Sequence, residues 1–171
     1  LKYASNSFHA LKVGFANEVG VLCKEMGIDS HEVMELFMQD TRLNISTQYL
    51  RPGFAFGGSC LPKDVRAIVQ KARTLGVQTP ILEAILPSNE RHIERACNLV
   101  RRTGSKQVGI LGLSFKGGTD DLRESPMVQL AEMLLGKGYK LSIYDPNVSL
   151  SQIIGANKQY IEQVLPHLAE L

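Results

Sequence analysis

Apolar positions recur every three or four residues from Lys2 to about Met26 (Phe8, Leu11, Phe15, Val19, Leu22), with no proline among them. That spacing predicts one long helix, closed by Gly27. Ser30 offers an N-cap for a second helix over His31 to Gln39, with Glu32 and Glu35 near its positive end. From Asp40 to Leu61 there is no clean period, and Pro52 and several glycines interrupt the stretch. A long structured loop is expected there, and such loops inside compact domains usually carry function. Pro62 suits the first turn of a helix reaching Leu75 and stopped by Gly76. A further helix spans Pro80 to Arg102, kinked or interrupted at Pro87.

The texture changes at Gly104. The short apolar run Val108 to Leu113 has the character of a buried parallel strand. Ser125-Pro126 opens a helix to Gly136 or Gly138, and Leu141 to Tyr144 reads as a second strand before the Asp145-Pro146 turn. Strand, helix and strand at this spacing predict a βαβ unit, with a weak helix or two in the remainder to Leu171. Two strands make no stable sheet by themselves, so the α/β part is expected to be incomplete. The start, Leu1-Lys2-Tyr3-Ala4, reads as the middle of a helix rather than as a signal peptide, which suggests a piece of a longer protein.

Composition narrows the function classes. The chain has 171 residues, 44% hydrophobic and 21% charged, with a net charge of +2, ordinary values for a globular protein. Its basic residues are dispersed, which argues against a nucleic-acid partner. No apolar run approaches the roughly 20 residues needed to span a bilayer. Three widely separated cysteines cannot all pair and have no zinc spacing, so no metal is expected and a reducing, cytoplasmic setting is the simplest one.

The candidate chemistry lies in the segment Gly53-Phe54-Ala55-Phe56-Gly57-Gly58-Ser59-Cys60-Leu61-Pro62-Lys63-Asp64. Glycines let a backbone approach a ligand closely. Cys60 ends the loop just ahead of a helix N-terminus, where the dipole and nearby lysine favour the nucleophilic thiolate. Asp64, one turn on, falls on the same face. A lone cysteine is also a common small core residue, so the residues alone leave both roles for Cys60 open. Cys23 and Cys97 sit on regular helical stretches and are expected in the core. His9, His31, His92 and His167 have no motif that nominates them for catalysis. Lys2 and Asn6 are spaced i, i+4 on one helix face. The glycine-rich turn after the first strand, Gly112 to Ser125, is where nucleotides bind in open α/β sheets, although it lacks the full G-x-G-x-x-G fingerprint. Lys116 and Arg123 could neutralise phosphates there; a solvated loop is the bland alternative.

Taken in order, Lys2-x-x-x-Asn6, Asn17-Glu18, Gly57 to Asp64, Phe115-Lys116 and Arg123-Glu124-Ser125-Pro126 resemble the UDP-glucose/GDP-mannose dehydrogenase family along essentially the whole chain. Within it, Arg51 to Phe56 and Gly155-Ala156-Asn157-Lys158 look most like the branch that acts on GDP-mannose, with UDP-glucose or UDP-N-acetyl sugars as the alternative. The resemblance implies an α plus α/β fold: a helical central dimerisation domain over residues 1–103 with the catalytic loop, then the start of a Rossmann-like sugar-nucleotide-binding domain over 104–171.

It also implies oxidation of a sugar C6 alcohol to a carboxylate with two NAD molecules in turn, in a homodimer or higher oligomer, in the service of alginate-type polysaccharide synthesis. Cys60 would carry the thiohemiacetal and thioester, Lys2 and Asn6 would stabilise the oxyanion, and Asp64 would orient water. Lys63 and Arg123 match NAD-phosphate positions. Arg51, Gly57, Phe115 and Lys116 match the substrate site, with Lys116 at the diphosphate. The family's N-terminal NAD-binding domain has no counterpart in this sequence, so the fragment alone is expected not to turn over; an inactive oligomerisation module is the competing possibility.

Overall fold

The computed structural model describes residues 1–50 and 52–148. Among them the element order is α1 (Lys2–Glu25), α2 (Ser30–Gln39), α3 (Leu61–Thr74), α4 (Pro80–Arg102), β1 (Gln107–Leu111), α5 (Pro126–Leu135) and β2 (Lys140–Tyr144). The fold is therefore a mostly helical chain followed by a small parallel sheet, as an α plus α/β fragment requires. The described residues form two compact units interleaved in sequence: Leu1–Gly53 with Asp64–Pro87, and Phe54–Lys63 with the described residues from Ser88 onward.

In the first unit, Gly27 takes φ +69° behind α1, and Ile28 N–H donates to the Cys23 carbonyl at 2.8 Å. This left-handed turn satisfies an end carbonyl that the helix cannot pair. Helix α2 begins one residue earlier than the sequence suggests. Its cap is Asp29, whose carboxylate accepts from His31 N–H at 2.8 Å, and Ser30 is already helical. A carboxylate at that place pairs an orphan donor and also answers the positive helix end. The core of this unit is Leu22, Ala72, Val77 and Leu82, flanked by Phe15, Ile68 and Ile85.

Helix α4 runs from Pro80 to Arg102 without a break at Pro87, so the proline does not interrupt it. A proline inside a helix costs about 3 kcal/mol. Apolar anchors on both sides of it, Leu82 before and Ile93 and Cys97 after, are nearly fully buried and outweigh that cost.

In the second unit β1 and β2 pair in parallel, with register from Gln107↔Lys140 to Leu111↔Tyr144, and α5 is the crossover between them. β1 stops at Leu111, shorter than the predicted run, because Gly112 turns the backbone at φ +88°. Leu113 lies past the strand but stays in the core with Ile110, Leu122, Val128 and Ala131. A second cluster joins Ile93 and Cys97 of α4 to Leu130, Leu134 and Tyr139, with Val108 and Leu141 against it. Leu111 and Tyr144 are 83% and 66% exposed, so one face of this sheet is uncovered among the described residues. The weak helices expected near the C-terminus lie outside the described residues.

Candidate active site

The loop that carries the cysteine is held by its backbone. Asn89 of α4 accepts from Phe56 N–H at 2.9 Å and donates to the Phe56 carbonyl at 2.8 Å, replacing a strand partner for an isolated peptide unit. Two glycines then pass beneath neighbouring groups. A Cβ on Gly57 would strike the Glu124 carbonyl and come within 2.6 Å of Pro126 Cδ. On Gly58, which has φ +88°, it would lie 2.8 Å from the Phe115 ring. No side chain fits either position, so the glycine pair is required by close packing as well as by conformation. Cys60 follows, exposed and unpaired by disulfide, with Ser59 Oγ 3.9 Å from its sulfur. It stands immediately ahead of α3, whose first turn holds Lys63 and Asp64, both exposed.

The facing loop, Gly112 to Ser125, is fastened at several points. Asp145, at the C-terminal end of β2, accepts from Leu113 N–H at 2.7 Å and Ser114 N–H at 3.1 Å. Ser125, fully buried, donates from its hydroxyl to the Leu113 carbonyl at 2.6 Å. Phe115 N–H donates to the Asp121 carbonyl at 3.2 Å, and Thr119 Oγ1 donates to the Lys116 carbonyl at 2.8 Å. Glu124 sits at φ +54°, a strained conformation for a residue with a Cβ. Asp121 grips Arg123 by a two-pronged pair, from Nε at 2.8 Å and Nη2 at 2.7 Å, and accepts its backbone N–H at 3.0 Å.

These contacts set the charges. The hydrogen bond from Arg123, against a smaller opposing effect of burial, holds the Asp121 carboxyl below the usual carboxylate range. The Asp121 hydrogen bond and charge raise Arg123 in turn, and a charge on Cys60 adds a lesser push in the same direction. For Asp145, burial alone would raise the carboxyl; donation from the Leu113, Asn147 and Ser114 backbones and the Ser114 hydroxyl outweighs it and lowers it.

Of the residues singled out from the sequence, Gly57, Cys60, Lys63, Phe115, Lys116 and Arg123 belong to one compact unit. Lys2, Asn6 and Asp64 belong to the other, the first two exposed on α1. Arg51 lies outside the described residues. Cys23 and Cys97 are buried, at 7% and 4% exposure. His9, His31 and His92 are on the surface, and His167 is outside the described residues. Asn89, Asp121 and Asp145 were not predicted. Asn89 and Asp145 act on backbone groups more than thirty positions away, which no local pattern encodes, whereas Asp121 pairs with Arg123 only two residues on. A groove of about 440 Å³ between α1 and α2, lined by Asn17, Lys24, Ser30 and His31 among others, holds none of the candidate residues.

An exposed ammonium on Lys63 and a held guanidinium on Arg123 suit a phosphate-bearing group such as part of a dinucleotide. The turn after β1 has no G-x-G-x-x-G, and Asp145, at the end of β2, is occupied by loop amides, so this sheet itself is not built like a standard dinucleotide site.

Residues 1–91 match the model of the UDP-glucose/GDP-mannose dehydrogenase family central domain, and residues 109–170 match that of the same family's UDP binding domain. The chain is 54% identical over all 171 residues to GDP-mannose 6-dehydrogenase of Pseudomonas aeruginosa, and 50% identical over the same length to that of Azotobacter vinelandii. It spans 39% of the length of each. A UDP-glucose 6-dehydrogenase of Haloferax volcanii is 41% identical over 149 residues, 85% of this chain and 34% of the relative. Among solved structures, a ternary complex of GDP-mannose dehydrogenase from P. aeruginosa aligns with 99% of this chain and 39% of its own, at a TM-score of 0.93 and 54% identity. A UDP-glucose dehydrogenase from Pyrobaculum islandicum aligns with 95% of this chain and 40% of its own, at a TM-score of 0.59 and 39% identity.

Proposed function

The chain belongs to the UDP-glucose/GDP-mannose dehydrogenase family, and on that premise we propose that it is part of an NAD-dependent enzyme that oxidises GDP-mannose to GDP-mannuronate. The observation that carries this is the exposed Cys60 at the end of a loop whose two glycines are closed down on Phe115 and Glu124. A cysteine so placed is reachable by substrate while its backbone is fixed, as a covalent nucleophile needs. The preference for GDP-mannose is supported by 54% identity to an enzyme of that name, against 41% and 37% for two UDP-glucose 6-dehydrogenases.

NAD, when bound, accepts the hydride in each of two oxidations. The residues of this chain do the rest. Cys60 sulfur adds to the C6 aldehyde, and the resulting thiohemiacetal, once oxidised, is a thioester. Water cleaves that bond, leaving the carboxylate and restoring the thiol. Lys2 and Asn6 donate to the C6 oxygen as it gains charge, and Asp64 orients the water. Lys116 and Phe115 hold the sugar nucleotide, Gly57 admits the sugar close to the backbone, and Arg51 completes its grip. Lys63 and Arg123 hold NAD phosphate. The division into a helical domain over 1–103 and a sugar-nucleotide domain over 104–171 is supported by the two family matches, which end at 91 and begin at 109. Assembly as a homodimer or larger homo-oligomer is supported by the apolar side chains exposed on α1 and α2. Three free cysteines agree with a reducing cytoplasmic setting.

The test is NADH formation by the full-length protein with GDP-mannose and UDP-glucose in parallel, beside Cys60→Ala. About two NADH per GDP-mannose, with no carboxylate product from the variant, is the expected result. Preference for UDP-glucose would keep the mechanism and change the substrate. Full activity without Cys60 would sink the covalent route.

A further inference from the structure

Between the cysteine loop and α4 lies a contact that the mechanism above does not use. Asn89 meets both backbone groups of Phe56, accepting from its N–H at 2.9 Å and donating to its carbonyl at 2.8 Å. A carboxamide carries acceptor and donor side by side, so the two bonds fix the direction of this backbone unit as well as its place. One turn along the same helix, Ile93 is buried in a cluster against which Ala55 packs. The next two residues are fixed from another side: Gly57 lies against the Glu124 carbonyl and Pro126, and Gly58 against the Phe115 ring. Four successive residues, Ala55 to Gly58, are therefore held, and Cys60 stands exposed two positions beyond them. Apolar packing has no direction and tolerates sliding; the Asn89 pair does not.

We propose that Asn89 is a positioning residue for the second oxidation, holding the cysteine loop so that Cys60 captures the C6 aldehyde before it leaves. This role presupposes Cys60 as the covalent nucleophile, and so rests on the function proposed above. In the first oxidation the C6 alcohol loses a hydride to NAD and a proton to solvent, without help from the sulfur. The aldehyde then has two fates. It escapes, or the Cys60 sulfur adds to C6 while the thiol proton passes to the carbonyl oxygen. The thiohemiacetal so formed loses the second hydride to a second NAD and its hydroxyl proton to solvent, and water cleaves the thioester. Escape needs no geometry, whereas addition needs sulfur and carbon about 3–3.5 Å apart and aligned. A loop released from Asn89 therefore loses capture while the first step continues.

The test uses the full-length protein with NAD and GDP-mannose or UDP-glucose, whichever it oxidises faster. An alkoxyamine is added to convert free aldehyde irreversibly to an oxime, and the ratio of carboxylate to oxime is read by mass spectrometry. Misfolding lowers both products together and leaves that ratio alone, so a merely structural role does not move it. The native enzyme is expected to give almost only carboxylate, and Asn89→Ala a ratio lower by about tenfold. Asn89→Asp keeps the size and the acceptor but turns a carboxylate toward the Phe56 carbonyl, and is expected to lower the ratio too. It decides the matter should Asn89→Ala fail to fold. Hydrogen exchange without substrate or cofactor is the second readout: residues 54–60 are expected to exchange faster in the deciding variant, with the rest of α4 unchanged. An unchanged ratio, or unchanged exchange over residues 54–60, would overturn the proposal. A native enzyme that makes no carboxylate would remove the proposed function and this role with it. Native carboxylate with an unchanged ratio in the variant removes the role of Asn89 alone.

Discussion

At the scale of single residues, the two closed glycines make a sharp prediction. Gly58→Ala adds a methyl at φ +88° and 2.8 Å from the Phe115 ring, so strain and collision act together. A loss of about 1–3 kcal/mol is expected, measured by thermal or urea unfolding, with Phe115→Ala partly relieving it. Asp145 offers a pH prediction. Its folded carboxyl is depressed, so its contribution is complete above the ordinary carboxylate range and is lost as pH falls through the folded value. Unfolding measured from neutral to acid pH should therefore show a stability difference between the native chain and Asp145→Asn of about 1–3 kcal/mol at neutrality, shrinking as the pH falls through the depressed folded value. A constant difference across that range would mean that the two amide contacts to Leu113 and Ser114 contribute nothing specific to the charge.

At the scale of elements, the start of α4 has an unusual cap. Thr79 stands where a helix-capping hydroxyl would be expected, yet it is fully buried and its Oγ1 has no hydrogen-bond partner among the described residues. Glu18 of α1 takes over: its buried carboxylate accepts from Ile81 N–H at 2.7 Å and Leu82 N–H at 3.0 Å. Gly14, one turn earlier on α1, leaves room for the Ile81 side chain that this approach brings in. The cap thus ties two helices together, with the negative charge at the positive end of α4. Glu18→Ala should destabilise the chain by about 2–3 kcal/mol, because two donors lose their partner. Thr79→Val should be neutral or stabilise by up to about 1 kcal/mol, since it removes an unpaired buried hydroxyl. Substantial destabilisation by Thr79→Val in calorimetry would show that the hydroxyl is paired after all.

At the scale of the whole molecule, many large apolar side chains remain on the surface. Tyr3, Leu11, Val13 and Val21 on α1, and Leu36 and Met38 on α2, are each between 48% and 87% exposed. Helices that expose this much apolar surface associate more readily than a polar surface does. Sedimentation velocity at rising concentration should therefore show self-association, weakened by Val13→Lys with Leu36→Glu. A monomer at every concentration would remove the support that this surface gives to an oligomer. No helix among the described residues is long and apolar enough to cross a membrane.

Much of this architecture was legible from spacing alone. The period near 3.6 along α1, the glycine stops after α1 and α3, and the apolar run of β1 are local signals, and local backbone preference determines them. The limits were equally physical. Pro87 signals a kink or an interruption in the sequence; the helix is not interrupted there, and residues on both sides of it are buried. The cap of α2 moved to Asp29 because a carboxylate there reaches an amide that Ser30 does not. At the site, the sequence by itself determined which groups are available: a cysteine after two glycines before a helix, and cations on the loop after a strand. Tertiary structure alone decided why Gly57 and Gly58 must be glycine, since the atoms they would strike belong to residues more than fifty positions away. It also brought in Asn89 and Asp145, whose work consists of pairing distant backbone groups that no one-dimensional pattern records.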